Sequence, residues 1–199
     1  MQIYRFPRSR SLKVLWVLEE LGIDYDSLKV DLLTAQPSIQ SPHPFGKVPY
    51  LVDGDLAISE TLAICIYLCE KNAGDSLYPQ DPVKQSAINT WISFALTDLE
   101  SSVWGLLKQR LFVPAEQRSE AVIHYFTAEV QRVLQQIQLD ETQPWIASDN
   151  FSLADIFMSQ TLQWVTACGI TLVPLLDAYL QKTMSRASFI RAVALNDAP

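Results

Sequence analysis

The stretch His43–Leu68, HPFGKVPYLVDGDLAISETLAICIYL, carries the residues best arranged to bind something. Pro49 stands at the head of a short apolar run, Tyr50-Leu51-Val52, that reads as a strand. A proline cannot donate to a sheet ladder, so the backbone beside it is left as an edge. If the Val48–Pro49 bond is cis, as about one X–Pro bond in twenty is in folded proteins, the Val48 amide and carbonyl face outward. An extended peptide can then pair with them as an added strand. Asp53-Gly54 signals a two-residue hairpin returning through Leu56, Ala57 and Ile58. Ser59-Glu60-Thr61 opens a helix with Leu62, Ile66 and Leu68 inward, and its first N–H groups and positive dipole end suit a carboxylate. An edge for a peptide backbone beside a socket for a carboxylate points to a small peptide ligand. The same pattern also describes a plain hairpin packed on a helix.

Other reactive residue types are sparse. Cys65, Cys69 and Cys168 form no C-x-x-C pair, and an odd count suits a reducing compartment. Cys65 and Cys69 share a helix face, yet no His or third Cys lies nearby to complete a metal site, so all three read as small buried hydrophobes and no metal is expected. His43 and His124 belong to no recognisable triad. The basic cluster Arg5, Arg8, Arg10 and Lys13 reads as a solvated loop, or as a draw for a small anion. A net charge of −7 argues against nucleic acid as a partner. No apolar run is long enough to span a bilayer and the start, MQIYRFPRSR, has no signal-peptide core, so the expectation is a cytoplasmic protein without a membrane partner.

The elements that must position these residues follow from periodicity. Gln2 to Phe6 reads as a strand, Pro7 to Arg10 as a loop, and Ser11 to Leu21 as a helix whose Val14, Val17, Leu18 and Leu21 form one apolar stripe, closed by Gly22. Tyr25 to Val30 gives a second strand, parallel to the first through a right-handed crossover. Thr34 to Ser41 is a short helix or an irregular connector. The order β-α-β-α-β-β-α makes a compact α/β unit over residues 1–76, followed by a linker over 77–84. No strand pattern follows, so residues 85–199 read as an all-α domain. It begins with one long helical stretch, Val83 to Arg110, directed inward by Ile88, Trp91, Ala95, Leu99, Val103 and Leu106, and broken by Pro114. A helix over Ala115–Leu139 comes next, inward through Val122, Phe126, Val130, Val133 and Ile137. After a loop holding Trp145, Ser152-Leu153-Ala154-Asp155 forms a capping box, with Phe151 placed to staple onto Ile156 or Phe157. Helices over Leu175–Met184 and Ser188–Leu195 end the chain.

Across nearly its whole length the chain resembles a cytosolic glutathione transferase. FPRSRSLKVLWVLEELGIDYD resembles that family's first strand, active-site loop and first helix. HPFGKVPYLVDGDLAISETLAICIYL resembles its glutathione segment, with the Val-Pro pair and an acidic residue followed by a hydroxyl residue, and NFSLADIFM resembles the capped buried helix of its second domain. The resemblance implies an α/β thioredoxin-like N-terminal domain and an all-α helical-bundle C-terminal domain. It implies a homodimer, glutathione as co-substrate without a metal, and a small hydrophobic electrophile as second substrate, bound between the domains. Residue by residue, it implies that Val48 pairs with the cysteinyl backbone of glutathione beside a cis Pro49. Glu60 and Thr61 then hold the γ-glutamyl end, while Lys47 and Gln36 reach the glycyl carboxylate. Phe6, Trp104 and Leu107 are implied for the electrophile site, although core packing explains these aromatics equally well.

The chemistry such a site performs is to ionise a thiol and hold it against an electrophile. A free thiol has a pKa of about 8.5. Lowering it by about 1.5 to 2 requires roughly 2–3 kcal/mol, which a hydrogen bond to a charged group supplies. Ser9 is the candidate donor and Ser11 the second, and either also serves as an ordinary helix cap. In several classes of the family the serine falls one place earlier, where this chain has Arg8, so an arginine or a backbone amide is the alternative. The expected activity is conjugation of glutathione to the electrophile, or reduction of a peroxide. A glutathione-dependent isomerase or dehalogenase is indistinguishable at this stage, and the contrasting expectation is a non-catalytic binding module.

Overall fold

A computed structural model describes residues 1–34, 36, 38–72, 77–140 and 142–198. In chain order the elements are β1 (Gln2–Arg5), α1 (Ser11–Leu21), β2 (Asp26–Lys29), β3 (Tyr50–Asp53), β4 (Leu56–Ser59), α2 (Thr61–Lys71), α3 (Pro82–Phe94), a π-helical stretch (Ala95–Glu100), α4 (Ser101–Leu111), a 3-10 turn (Ala115–Gln117), α5 (Glu120–Leu134), α6 (Leu153–Ala167), α7 (Pro174–Met184) and α8 (Ala187–Asp197). By packing, the chain divides into two compact units, residues 1–79 with 184–199, and residues 80–183.

The first unit is built on a four-stranded sheet in the order β2-β1-β3-β4. β1 runs parallel to β2 and antiparallel to β3, and β3 runs antiparallel to β4. This is a thioredoxin-like arrangement, with the crossover helix α1 joining the parallel pair. Gly22 ends α1 in the left-handed region (φ 63°), a conformation that costs glycine no Cβ clash, and its N–H bonds the Leu18 carbonyl.

Eight consecutive residues of α1, Ser11 to Leu18, are buried, because the helix packs against both α2 and α8. The basic cluster is only partly a solvated loop: Arg8 is exposed and Arg10 half-buried, whereas Arg5, at the end of β1, is 3% exposed and Lys13, in α1, is fully buried. On α2 the inward face is Ile64, Cys65, Leu68 and Cys69, whereas Leu62 and Ile66 are half-buried.

α8 returns to this unit rather than to the all-α one. Arg186 Nε and Nη2 bond Glu20 at 2.6 and 2.8 Å, Arg191 reaches Glu19, and the Phe189 ring lies 4.7 Å from that of Trp16. Arg5 Nη1 donates to the Asn196 carbonyl at 2.9 Å, fixing the end of β1 to the end of α8. Leu77 and Tyr78, expected in the linker, are buried and count with this unit, and part of that expected linker lies outside the described residues.

The second unit is all-α. α3 starts at Pro82, the first helical position that proline tolerates, and Asp81 caps it by accepting from Val83 N. The expected long helix is real but passes through six π-helical residues, and its buried line includes Ile92 where Trp91 was expected. Gly105 lets α4 approach α5 closely: a Cβ there would stand 2.5 Å from the Phe126 ring. The expected helix from Ala115 begins only at Glu120, where Ser119 caps it, and ends at Leu134. Val130 and Val133 face fully inward on α5, while Val122 and Phe126 are half-buried. α6 is buried around almost its whole circumference and forms the core of the unit. Its capping box is present as the sequence predicts, while Phe151 pairs edge-on with Trp145 at 5.0 Å.

Candidate functional site

The sheet register brings the predicted residues to one end of the first unit. Tyr4 lies opposite Tyr50, and Tyr50 opposite Ser59, so the three residues form one row across β1, β3 and β4. Because β3 runs against both neighbours, the segment before Tyr50 lies beside the segments that follow Tyr4 and Ser59. The loop Phe6–Arg10, the Val48–Pro49 pair and the start of α2 at Glu60–Thr61 all leave the sheet from that row.

Each segment carries an unusual backbone feature. Val48–Pro49 is cis, with Pro49 buried and Val48 half-buried. Among the described residues, Val48 N and O enter no backbone hydrogen bond. Arg8 (φ 56°) and Glu60 (φ 68°) are the non-glycine residues with positive φ among those described, and they sit in the other two segments. Such conformations cost an ordinary residue about 1–3 kcal/mol and persist where a site demands them.

α2 begins without a side-chain cap: Glu60 is exposed, its carbonyl accepts from Ile64 N at 3.0 Å, and its carboxylate does not fold back on the helix. The N–H groups of the first turn, beginning at Thr61, therefore stay available to an anion. Thr61, the first residue of α2, is 7% exposed. Lys47 is exposed, with its ammonium 5.8 Å from the Phe45 ring centre. Gln36 is exposed in the irregular stretch after β2, and its only described bond is local, from its backbone N to Thr34 Oγ1. The register does not connect Gln36 to the row.

In the loop after β1, Ser9 Oγ lies 2.7 Å from the Phe6 carbonyl, to which it donates, and 2.9 Å from Ser11 Oγ. It also accepts from Ser11 N at 3.1 Å. Ser9 is half-buried and can meet a ligand, whereas Ser11 is fully buried, which removes it as a donor in direct contact with one. Arg5 was not singled out from the sequence as a positioning residue. Its guanidinium bonds Ser27 Oγ at 2.7 Å as well as the end of α8, and so fixes the strand end from which this loop departs.

The electrophile candidates divide between the units. Phe6 is half-buried in the first. In the second, Leu107 is 9% exposed, and the Trp104 ring stacks on Trp164 at 5.8 Å and meets Phe112 edge-on at 5.7 Å. Packing therefore accounts for Trp104 and Leu107. The three cysteines are free and buried. Burial pushes the Cys65 thiol well up, the Cys69 thiol up to about 12 and the Cys168 thiol up, so none is a ready nucleophile. Among the described residues, no three metal-ligating side chains come together, and no helix is long and apolar enough to cross a membrane.

The fold defines a protein with a thioredoxin-like sheet unit and an all-α second unit. Two family models match it, the glutathione S-transferase N-terminal domain over residues 1–70 and the glutathione S-transferase C-terminal domain over residues 106–187. The chain belongs to the cytosolic glutathione S-transferase superfamily. It is 29% identical to glutathione S-transferase 1 of Zea mays over 98% of this chain and 96% of that one. Among solved structures, it is similar to a ternary complex of BphK, a bacterial GST, with a TM-score of 0.86, 25% identity and full coverage of both chains (100% of each). It is also similar to a sphingomonad glutathione S-transferase complexed with glutathione, with a TM-score of 0.84, 26% identity and 100% of each chain covered.

Proposed function

We propose that the chain is a glutathione transferase that binds glutathione along Val48 and the start of α2 and stabilises its thiolate for attack on a small apolar electrophile. The observation that carries this reading is the α2 terminus. It is left without a side-chain cap, opens with the buried Thr61, and lies beside a Val48 backbone that makes no backbone hydrogen bond among the described residues.

In the proposed complex the Val48 N–H and C=O pair with the cysteinyl backbone, and the Thr61 hydroxyl and amide hold the γ-glutamyl carboxylate. Glu60 accepts from the γ-glutamyl amine, and Lys47, with Gln36 the more distant candidate, meets the glycyl carboxylate. The thiol loses its proton to solvent, and the Ser9 hydroxyl donates to the resulting sulfur anion. That anion forms a bond to the electrophilic carbon, and the leaving group departs with its electron pair. With a hydroperoxide in place of the carbon electrophile, the same thiolate would attack the O–O bond, taking one oxygen as a sulfenic acid while the alcohol leaves. A second glutathione would then condense with the sulfenic acid to give glutathione disulfide and water. The reading includes a homodimer and a cytoplasmic location.

The test is to titrate saturating glutathione on the protein and follow thiolate absorbance against pH in the parent and in Ser9→Ala. The expected result is heat of binding in both, with the ionisation midpoint in Ser9→Ala raised by about 1.5 to 2 toward the free-thiol value of about 8.5. An unchanged midpoint removes Ser9 from the mechanism. Absence of binding heat at millimolar glutathione would leave a binding module for some other ligand. A panel of electrophiles and hydroperoxides assayed with glutathione then separates transferase from peroxidase.

A further inference from the structure

Resting on the reading of Ser9 as thiolate donor, we propose that Ser11 is a positioning residue whose buried hydroxyl donates to Ser9 Oγ and thereby commits the Ser9 proton to the ligand sulfur. The inference starts from counting protons. A serine hydroxyl has one proton and two acceptor sites. Ser9 Oγ is 2.7 Å from the Phe6 carbonyl, which has no proton to give, so that contact uses the Ser9 proton. With the Ser9 proton assigned to the Phe6 carbonyl, the shorter of its two contacts, the 2.9 Å contact between the two hydroxyls is assigned to the proton of Ser11. Ser11 is placed to do so, because the Phe6 N–H at 3.4 Å supplies a donor to its oxygen and leaves its own proton for Ser9.

The result is a ring, Phe6 N–H to Ser11, Ser11 O–H to Ser9, and Ser9 O–H back to the Phe6 carbonyl. On that assignment Ser9 Oγ receives the Ser11 O–H as well as the Ser11 N–H (3.1 Å), two donated bonds into one oxygen. An oxygen so filled is a poor base toward a thiol and a strong donor toward a thiolate, since each bond donated into it polarises the one it makes. When a sulfur anion arrives, one rotation of the Ser9 hydroxyl away from the Phe6 carbonyl suffices. The Ser11 bond remains in place throughout. Ser11 is fully buried at the first turn of α1, so it acts through Ser9 and not on the ligand.

The experiment compares Ser9→Ala, Ser11→Ala and the double variant, reading the ionisation midpoint of saturating bound glutathione. Ser11→Ala is expected to raise the midpoint by about half a pH unit, which is about threefold less thiolate below the midpoint. Ser9→Ala raises it further, and the double variant matches Ser9→Ala alone, because a residue acting only through Ser9 adds nothing once Ser9 is gone. A merely structural Ser11 would reduce stability or glutathione affinity without moving the midpoint. That outcome, with Ser9→Ala still raising the midpoint, overturns this inference and leaves the donor reading standing. A midpoint that Ser9→Ala does not move overturns the donor reading itself. Additive shifts in the double variant also overturn the inference. Should Ser11→Ala fail to fold, Ser11→Cys, which keeps the side chain's reach but donates weakly, carries the same test.

Discussion

Two helices of this protein begin in opposite ways. α6 starts inside the second unit with a capping box. Asp155 accepts from Ser152 N at 2.9 Å, Ser152 Oγ at 3.1 Å, Ile146 N at 3.0 Å and Tyr179 Oη at 2.9 Å. α2 starts with a residue at φ 68°, no side-chain cap and an exposed carboxylate. Both termini present the same N–H groups and the same dipole. One is closed by its own chain, while the other has no side-chain cap, which is the feature the proposed glutathione site uses. As the proposed binding terminus, the start of α2 should respond to mutation in the opposite sense from the structural one.

The largest effect should come from the closed terminus. Asp155→Ala leaves four donors at the α6 entrance without their acceptor, and each such buried donor costs about 1–3 kcal/mol. With partial relaxation the expected loss is about 3–5 kcal/mol, read as a lowered midpoint in urea. Whatever protein remains folded should bind glutathione with unchanged affinity. Weakened binding in that fraction would show that the two termini are not independent.

The open terminus should behave the other way. Thr61→Val keeps the shape of a buried side chain and removes its hydroxyl, so stability should change by less than about 1 kcal/mol. Glutathione affinity should fall by about 10- to 100-fold, the value of one hydrogen bond to a charged group. Calorimetry and a urea melt on the same preparation give both numbers. A large stability loss with intact binding would reverse the assignment of the two termini.

Glu60→Gly sharpens the comparison at one residue. Glycine adopts φ 68° without a Cβ clash, so the variant should gain about 1 kcal/mol of stability, read as a higher melting temperature. It also removes the carboxylate proposed to meet the γ-glutamyl amine, so glutathione binding should weaken. Stability gained together with binding lost would identify the strain as maintained for the ligand.

This contrast also marks what was legible in the residues. The hairpin, the Val-Pro pair and the Ser152–Asp155 box are short-range patterns whose physics is complete within a few residues, and each stands where the sequence places it. On α2 the burial of Cys65, Leu68 and Cys69 was legible, whereas Leu62 and Ile66 are only half-buried, because that helix is apolar on most sides and its innermost face depends on what packs against it. The late start of α5 turns on Ser119 being a better cap than any residue near Pro114, and apolar spacing carries no record of that. Least legible were the long-range pairings. Arg5 looks solvent-bound in a basic run, and only the return of α8, nearly the whole chain later, gives it the carbonyls that bury it.

The return of α8 yields the smallest prediction, a pH effect confined to the first unit. Burial would push the Glu20 carboxyl up, but hydrogen bonds from Arg186, Ser188 and Trp16 outweigh it and hold the group below its ordinary range. A carboxyl held low in the folded state binds fewer protons there than in the unfolded chain. Its contribution is therefore complete above the ordinary glutamate value of about 4.3 and is lost as pH falls through the lower folded value. Asp155 has the opposite sign: burial outweighs its four donors and raises it, so acid does not remove a favourable term at α6 in the same way. Acidification should then loosen α8 from α1 before it opens α6, with hydrogen exchange rising first along Ala187–Asp197. Glu20→Gln should abolish that early step and cost less than about 1 kcal/mol at neutral pH, since Arg186 stays partly exposed to water. Simultaneous exchange of the α6 and α8 amides on acidification would show instead that the two carboxylates titrate as one system.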